Sequence, residues 1–411
     1  MIEERADTVV VGAGAAGLMA AIWAARANPH QAVVVLDGAR TLGAKILVAG
    51  GGRCNVTHDH VDSSAYAGSS RNAIRKVLLR FDVPQTVDFF RELGVHLKRE
   101  ETGKLFPTTD SARTVLNALL SAAERAGVQI RHPNLVETIA RNSTSFEVRG
   151  AWGGITAGTV ILASGGRSLP KSGSDGHGYT MARSLGHTIT RRVFPALVPL
   201  TLPRDHFLTA LSGVTLVATL DLRSGSGKKL VSFTDSTLCT HFGLSGPSVL
   251  DISRYFIDAT FDDPDAMLTI NWLPGRTTEQ VEVELQALGK ASPLRHFADS
   301  LPERLVRALC AEVGVDPIAP ASQLTRKGRK ALARAVTQLP LPVTGNRGYT
   351  YAEATAGGVP LSELHLDTMQ SRVCPGLYLC GEICDVDGRI GGYNFQWAWA
   401  SGYVAGISAG T

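Results

Sequence analysis

Nowhere in this sequence do about 18 apolar residues run together, so no segment reads as a membrane-spanning helix and no membrane partner is expected. Cysteine is scarce, six in 411 residues, and its irregular spacing fits a reducing cytosol better than a disulfide framework. Cys374, Cys380 and Cys384 lack the spacing of a metal cluster, so no metal site is expected. Excess charge is also small: +4 at pH 7, with the basic residues scattered, which gives no positive argument for nucleic acid. The apolar stretch near the start is broken by glycines, preceded by Glu3, Glu4 and Asp7, and followed by no cleavage site. It is therefore not read as a secretory leader, and the expected location is cytoplasmic. What remains is an ordinary soluble composition, 44% hydrophobic and 19% charged, at a length that suggests two or three domains.

Glycine, by contrast, is abundant at 43 residues, and its placement is informative. Thr8-Val9-Val10-Val11 is a β-branched run suited to a buried parallel strand. It leads directly into Gly12-Ala13-Gly14-Ala15-Ala16-Gly17 and then into an alanine-rich helix from Leu18 to Ala27. Strand, G-x-G-x-x-G and helix together form a dinucleotide-binding fingerprint. Gly12 allows the tight turn, Gly14 lets backbone approach a pyrophosphate, and Gly17 lets helix pack on strand. The helix start offers N–H groups and partial positive charge to the phosphates. A second strand, Ala32 to Leu36, ends in Asp37, about 20 residues on, where a carboxylate accepts from an adenosine ribose.

Lys45 and the run Gly50-Gly51-Gly52-Arg53-Cys54-Asn55 follow. Consecutive glycines let backbone lie against a flat ligand, and Lys45 and Arg53 are suited to phosphate charge; a plain exposed loop is the alternative. Cys54 is either a redox thiol or a small buried packing group. Residues 71–127 read as mainly helical with a small β excursion, and Val136–Ile139, Ser145–Arg149 and Gly154–Ala157 as a three-stranded meander. The next strand runs from Thr159 into Ala163-Ser164-Gly165-Gly166, a small-residue turn of the kind that binds ligands in doubly wound sheets. Asp175 stands at an expected helix N-cap and is also a candidate for touching a cofactor.

From Phe194 the texture changes. Alternating segments at 214–222 and 229–233 predict strands of a second domain, and 278–339 is largely helical. His241 is either a substrate-facing group or a structural histidine. Near the C-terminus a strand ends in Gly381-Glu382, an acid suited to a polyol chain or to solvent. Gly392-Tyr393-Asn394-Phe395-Gln396 then opens a small-residue helix whose start would stabilise negative charge.

These motifs resemble the two-dinucleotide-fold flavoproteins and, more narrowly, the bacterial YhiN-type family, which includes aminoacetone-oxidase-like proteins and a bile-acid dehydro-reductase. The resemblance rests on Gly50 to Thr57, Thr240 to Pro247, Thr355 to Val359, and Gly381 through Trp399. It implies an α/β fold: a Rossmann-like FAD-binding domain at 1–192 and 345–411, with a β-barrel-like insert at 193–344 carrying a helical subdomain at about 245–339. It further implies that Gly12, Gly14, Gly17, Asp37 and the neighbouring Ala13, Ala15, Ala16 and Leu36 hold the ADP half of FAD. Lys45 and Gly51 to Asn55 would follow the pyrophosphate, Val136 would meet adenine, Glu382 the ribitol, and Asn394 to Gln396 the pyrimidine end of the flavin. Asp37 departs from the family's usual Glu, and no second G-x-G-x-x-G exists, so any NAD(P)H donor would dock transiently.

The expected function is an FAD-dependent oxidoreductase, reductase or oxidase, acting on a small organic molecule between the FAD domain and the insert. Arg53, Cys54, His241 and Glu353 are the candidate catalytic residues. A flavin-dependent RNA-modifying enzyme and a non-catalytic flavin-binding partner protein are the alternatives.

Overall fold

The computed structural model describes residues 4–411. The chain divides into two compact units: one reaches Pro195 and resumes at Glu353–Thr411, and the other is Ala196–Ala352.

The first unit is built on the strand Glu4–Val11, whose inner residues Val9 and Val10 are fully buried. It pairs in parallel with Val33–Leu36 on one side and with Gly153–Leu162 on the other. Gln129–Arg131 and Leu377–Leu379 extend the parallel ladder outward. Val33–Leu36 is buried throughout, the pattern of a strand covered on both faces. Two of the predicted segments prove to be one. Gly154–Ala157 and Thr159–Leu162 form a single strand, Gly153–Leu162, which runs parallel to Glu4–Val11 along one side from Ile155 on. Along its other side the first half pairs antiparallel with Phe146–Gly150 and the second half in parallel with Leu377–Leu379. Gly158 suggested a break, but a strand tolerates glycine, and here the next residue stays in register with Thr8.

The fingerprint helix Ala15–Ala27 packs along the closing helix Tyr393–Gly410. Their seam is a stripe of glycines one turn apart. A Cβ on Gly402 would sit 2.6 Å from the Ala16 carbonyl oxygen and one on Gly410 2.6 Å from that of Ala24, while one on Gly406 would overlap that of Ala20. Only hydrogen fits at these positions, so the two helix backbones run in close contact and the offset between their N-terminal ends is fixed.

The second unit holds a seven-stranded antiparallel sheet. It runs Leu339–Leu341, Met267–Asn271, Thr215–Arg223, Lys229–Thr240, Gly243–Ser245, Leu200–Thr201, Gly345–Asn346. The two edge strands are separated by residues 342–344, a link that spans roughly 10–14 Å. A flat sheet of seven strands is about 29 Å across at ~4.8 Å per strand, so this sheet curls strongly toward a barrel. Lys229–Thr240 continues past the predicted end at 233 because Thr237 and Cys239 turn inward in period two. Helices Pro247–Thr260, Thr278–Ala287, Pro293–Phe297, Glu303–Glu312 and Arg326–Thr337 accompany it around a core that includes Trp272.

Candidate functional site

The glycine fingerprint shows three different environments. A Cβ on Gly12 would meet the Ala163 carbonyl oxygen at 2.5 Å, and one on Gly17 would overlap the Gly12 carbonyl. Gly14 faces open space, with no heavy atom within 4 Å of a Cβ position. Two glycines therefore serve packing, and the third leaves the backbone bare where a ligand would approach. Ala163 lies over this turn and donates its amide to Val11 at 2.9 Å. Leu36 accepts from the Gly12 amide at 2.8 Å, which ties the turn to the next strand. The first turn of the helix, including Ala15 and Ala16, has no side-chain cap. Its amides point outward for an anion.

Asp37 is held beside that turn. Its carboxylate accepts from the Ala13 amide at 2.6 Å and the Ala39 amide at 2.7 Å. Val136 is buried where the chain enters the strand Thr138–Arg141.

Across the sheet end lies a compact polar cluster. Lys45 pairs with Glu382 and also donates to the Ser168 hydroxyl at 2.6 Å. That hydroxyl donates to the other Glu382 oxygen at 2.7 Å. The Arg167 and Ser168 amides in turn donate to Thr355 Oγ1 at 2.8 and 3.0 Å. Sequence reasoning identified Lys45 and Glu382 but not Ser168 or Thr355. Their available signals were modest: Ser168 follows Gly165-Gly166, and Thr355 precedes Gly357-Gly358.

The glycine loop after Lys45 is partly helical: Ala44–Gly52 forms one element, with non-helical backbone at Ala49, Gly50 and Gly51. Gly51 and Gly52 have left-handed φ of +69° and +84°, and a Cβ on Gly51 would meet open space. Arg53 is paired within the chain rather than left for a phosphate. It bonds Glu100 at 2.6 Å, lies 3.7 Å from Asp110, and stacks 4.0 Å over the Phe106 ring.

Several expected contacts are corrected. Burial pushes the Cys54 thiol up to about 12, so near neutral pH it is a protonated packing group and not a redox thiolate. Gln396 is buried, and its side chain accepts from Thr57 at 2.7 Å and Thr86 at 3.0 Å and donates to Phe81 at 2.9 Å. Its backbone amide donates to Gly392, so Gln396 turns inward and braces the helix start. Asn394 closes a two-bond ring with the Gly388 backbone, at 2.8 and 2.9 Å. Tyr393 stacks on His58 and Phe395 on Trp399. The closing helix has Gly392 as its cap and no side-chain cap bond, so its first turn keeps the anion-stabilising character expected of it. Asp175 stands one residue before the actual cap, Gly176, and accepts from the His177 amide at 2.9 Å. Exposed His241, against Phe242, belongs to the second unit, whereas exposed Glu353 belongs to the first.

The residues present fit FAD. Gly14 and Gly51 leave uncovered backbone, the fingerprint and closing helices start without a side-chain cap, and buried Ser164 Oγ and Asn55 Oδ1 have no hydrogen-bond partner among the described residues. Ser164 sits in the turn with Gly165, whose φ is +75°. Gly381 also takes a left-handed φ, +77°, and donates to Ser401 at 2.9 Å, which aims the following Glu382.

Comparison with known proteins agrees with this geometry. The chain is 35% identical to the 3-dehydro-bile acid delta(4,6)-reductase of Clostridium scindens, over 97% of this chain and 98% of that one. It is also 35% identical to the ribosomal RNA dihydrouridine synthase of Escherichia coli, over 98% and 97%. Among solved structures, 3-ketosteroid delta1-dehydrogenase from Sterolibacterium denitrificans superposes with a TM-score of 0.53 over 99% of each chain; at 13% identity this establishes a shared fold. The family model for the HI0933-like protein Rossmann domain matches residues 6–408, and the chain belongs to that family of Rossmann flavoproteins.

Proposed function

We propose that this protein is an FAD-dependent reductase that adds two hydrogens across a carbon–carbon double bond conjugated to a carbonyl, and that its substrate is a uracil base in RNA. The observation carrying this reading is the pair of full-length relatives. One is named for a delta(4,6)-reduction and the other for making dihydrouridine, and both names describe hydrogen added to a ring double bond.

When bound, FAD supplies the hydride. The protein's part is to hold and orient it. The bare backbone at Gly14 and the uncapped helix start would take the pyrophosphate, Asp37 would take the ribose, and Lys45, Ser168 and Glu382 would hold the polyol chain. The first turn of the closing helix would stabilise negative charge on the flavin. Beside that hydride, solvent would supply the proton that completes the added pair; Cys54 and Cys380, both held at about 12 by burial, would take no part as thiolates. A nicotinamide reductant would dock transiently, because the sequence has one G-x-G-x-x-G fingerprint and FAD would take it.

The test is an anaerobic titration of flavin-loaded protein with NADH and NADPH, followed by ribosomal RNA transcript. Rapid bleaching, reoxidation on adding RNA, and dihydrouridine in a nuclease digest support the reading. Reoxidation by a small conjugated ketone but not by RNA would favour a second reading, a small-molecule reductase, for which the bile-acid relative speaks. Flavin that no nicotinamide bleaches would sink the reductase.

A further inference from the structure

In the unit that carries the fingerprint, helix Arg71–Leu78 buries Ile74, Val77 and Leu78 and exposes Arg71, Arg75 and Lys76, with Arg80 exposed just beyond its end. The helix contains no acidic residue. Among the described residues none of these four cations makes an ion pair, whereas Arg26, Arg53, Arg91, Arg99 and Arg131 of the same unit all do. Arg71 and Arg75, and likewise Lys76 and Arg80, are four residues apart. The Arg71–Arg75 pair lies one turn apart on the helix, a like-charge spacing that is unfavourable by itself and is relieved by a polyanion.

A cavity of about 340 Å³ opens beside the helix, lined by Lys76, Arg80, Leu366, Asp367 and Arg372. Three cations thus face one carboxylate. Arg372 is fixed there by its Nε–H, which donates to the Leu364 carbonyl at 3.0 Å and leaves the guanidinium end for the cavity. The nearby Glu363 carboxylate is held by His187 and Thr188, which fix it toward the helix His177–Ser184, and with Asp367 it leaves the face net basic. Basic residues separated by almost 300 positions in sequence are gathered into one concave face.

We propose that this face, Arg71, Arg75, Lys76, Arg80 and Arg372, binds the phosphodiester backbone of an RNA, with a phosphate seated in the cavity. The inference rests on the reading that the substrate is RNA. Phosphate contacts of this kind position a substrate without reading its sequence, and their signature is a salt dependence set by the number of phosphates neutralised.

The experiment compares full-length, flavin-loaded wild type with Lys76→Gln/Arg80→Gln/Arg372→Gln, using a ribosomal RNA transcript and measuring Kd over a range of salt. A control variant neutralises the other exposed basic helix, Arg326–Thr337, as Arg326→Gln/Lys327→Gln/Lys330→Gln. The triple variant is expected to bind at least tenfold more weakly near 0.1 M salt, with a log–log salt slope smaller by roughly 2. Its rate of flavin bleaching by NAD(P)H should match wild type. Equal RNA affinity in the triple variant, or a loss confined to the control, overturns the proposal. So does wild type that fails to bind the transcript, or a triple variant whose only defect is a raised KM for NADPH. The substrate reading fails separately: wild type that binds RNA through this face yet forms no dihydrouridine overturns that reading and leaves the surface standing.

Discussion

Glu382 and Lys45 form the polar pair on which the proposed FAD site most depends. Both are partly buried, at 19% and 27% side-chain exposure, and Ser168 bonds to each. Glu382→Gln keeps the shape but leaves the Lys45 ammonium without its counter-charge. The expected result is an FAD affinity weaker by about tenfold, equivalent to ~1.4 kcal/mol, measured by titrating apoprotein. Cys54 leads to the opposite expectation. A thiol held near 12 is neither a nucleophile nor a redox partner at neutral pH, so Cys54→Ala should bleach with NAD(P)H within about twofold of wild type. Stopped-flow traces at the flavin absorbance settle it, and a large loss would restore the redox role.

At the scale of elements, the seam between the fingerprint helix and the closing helix fixes two helix starts relative to each other. Gly406→Ala would press a methyl group into the Ala20 carbonyl. Overpacking of this kind costs about 1–3 kcal/mol, read as a lower denaturant midpoint, and FAD retention should fall with it because the helix starts shift. A second contact ties the end of the helix His177–Ser184 to the segment at Leu361–Glu363. Burial raises the Glu363 carboxyl, but hydrogen bonds from Thr188 and His187 outweigh it and hold the group below its ordinary 4.5. A carboxyl lowered on folding contributes stability that is present above its ordinary value and is lost as pH falls through the lowered one. Unfolding free energy should therefore decline as the solution is acidified below about pH 4.5, and Glu363→Gln should flatten that decline.

At the scale of the molecule, the fingerprint unit is assembled from both chain ends, with Leu377–Leu379 and the closing helix completing a sheet begun at Glu4. A ligand held by that unit stabilises it by mass action. FAD at about 100 times its Kd should add ~2.7 kcal/mol, visible as slower amide exchange in Glu4–Val11, Val33–Leu36 and Gly153–Leu162. No helix of the described residues is long and apolar enough to cross a membrane.

The sequence by itself determined what local spacing can carry. Strand, glycine turn, helix and terminal acid are neighbours in the chain, so their geometry follows from backbone rules, and Gly12, Gly14, Gly17 and Asp37 could be read directly. Gly381-Glu382 and the glycine-capped helix after it were legible for the same reason. Other features depended on closure between distant segments. Ser168 meets Lys45 and Glu382 only because the sheet brings positions 123 and 214 residues away to one edge. Gln396 turns inward only because Thr57, Thr86 and Phe81 are packed beneath it. The basic residues looked scattered because charge density is a property of surface, and only the tertiary structure brings Arg372 beside Lys76 and Arg80.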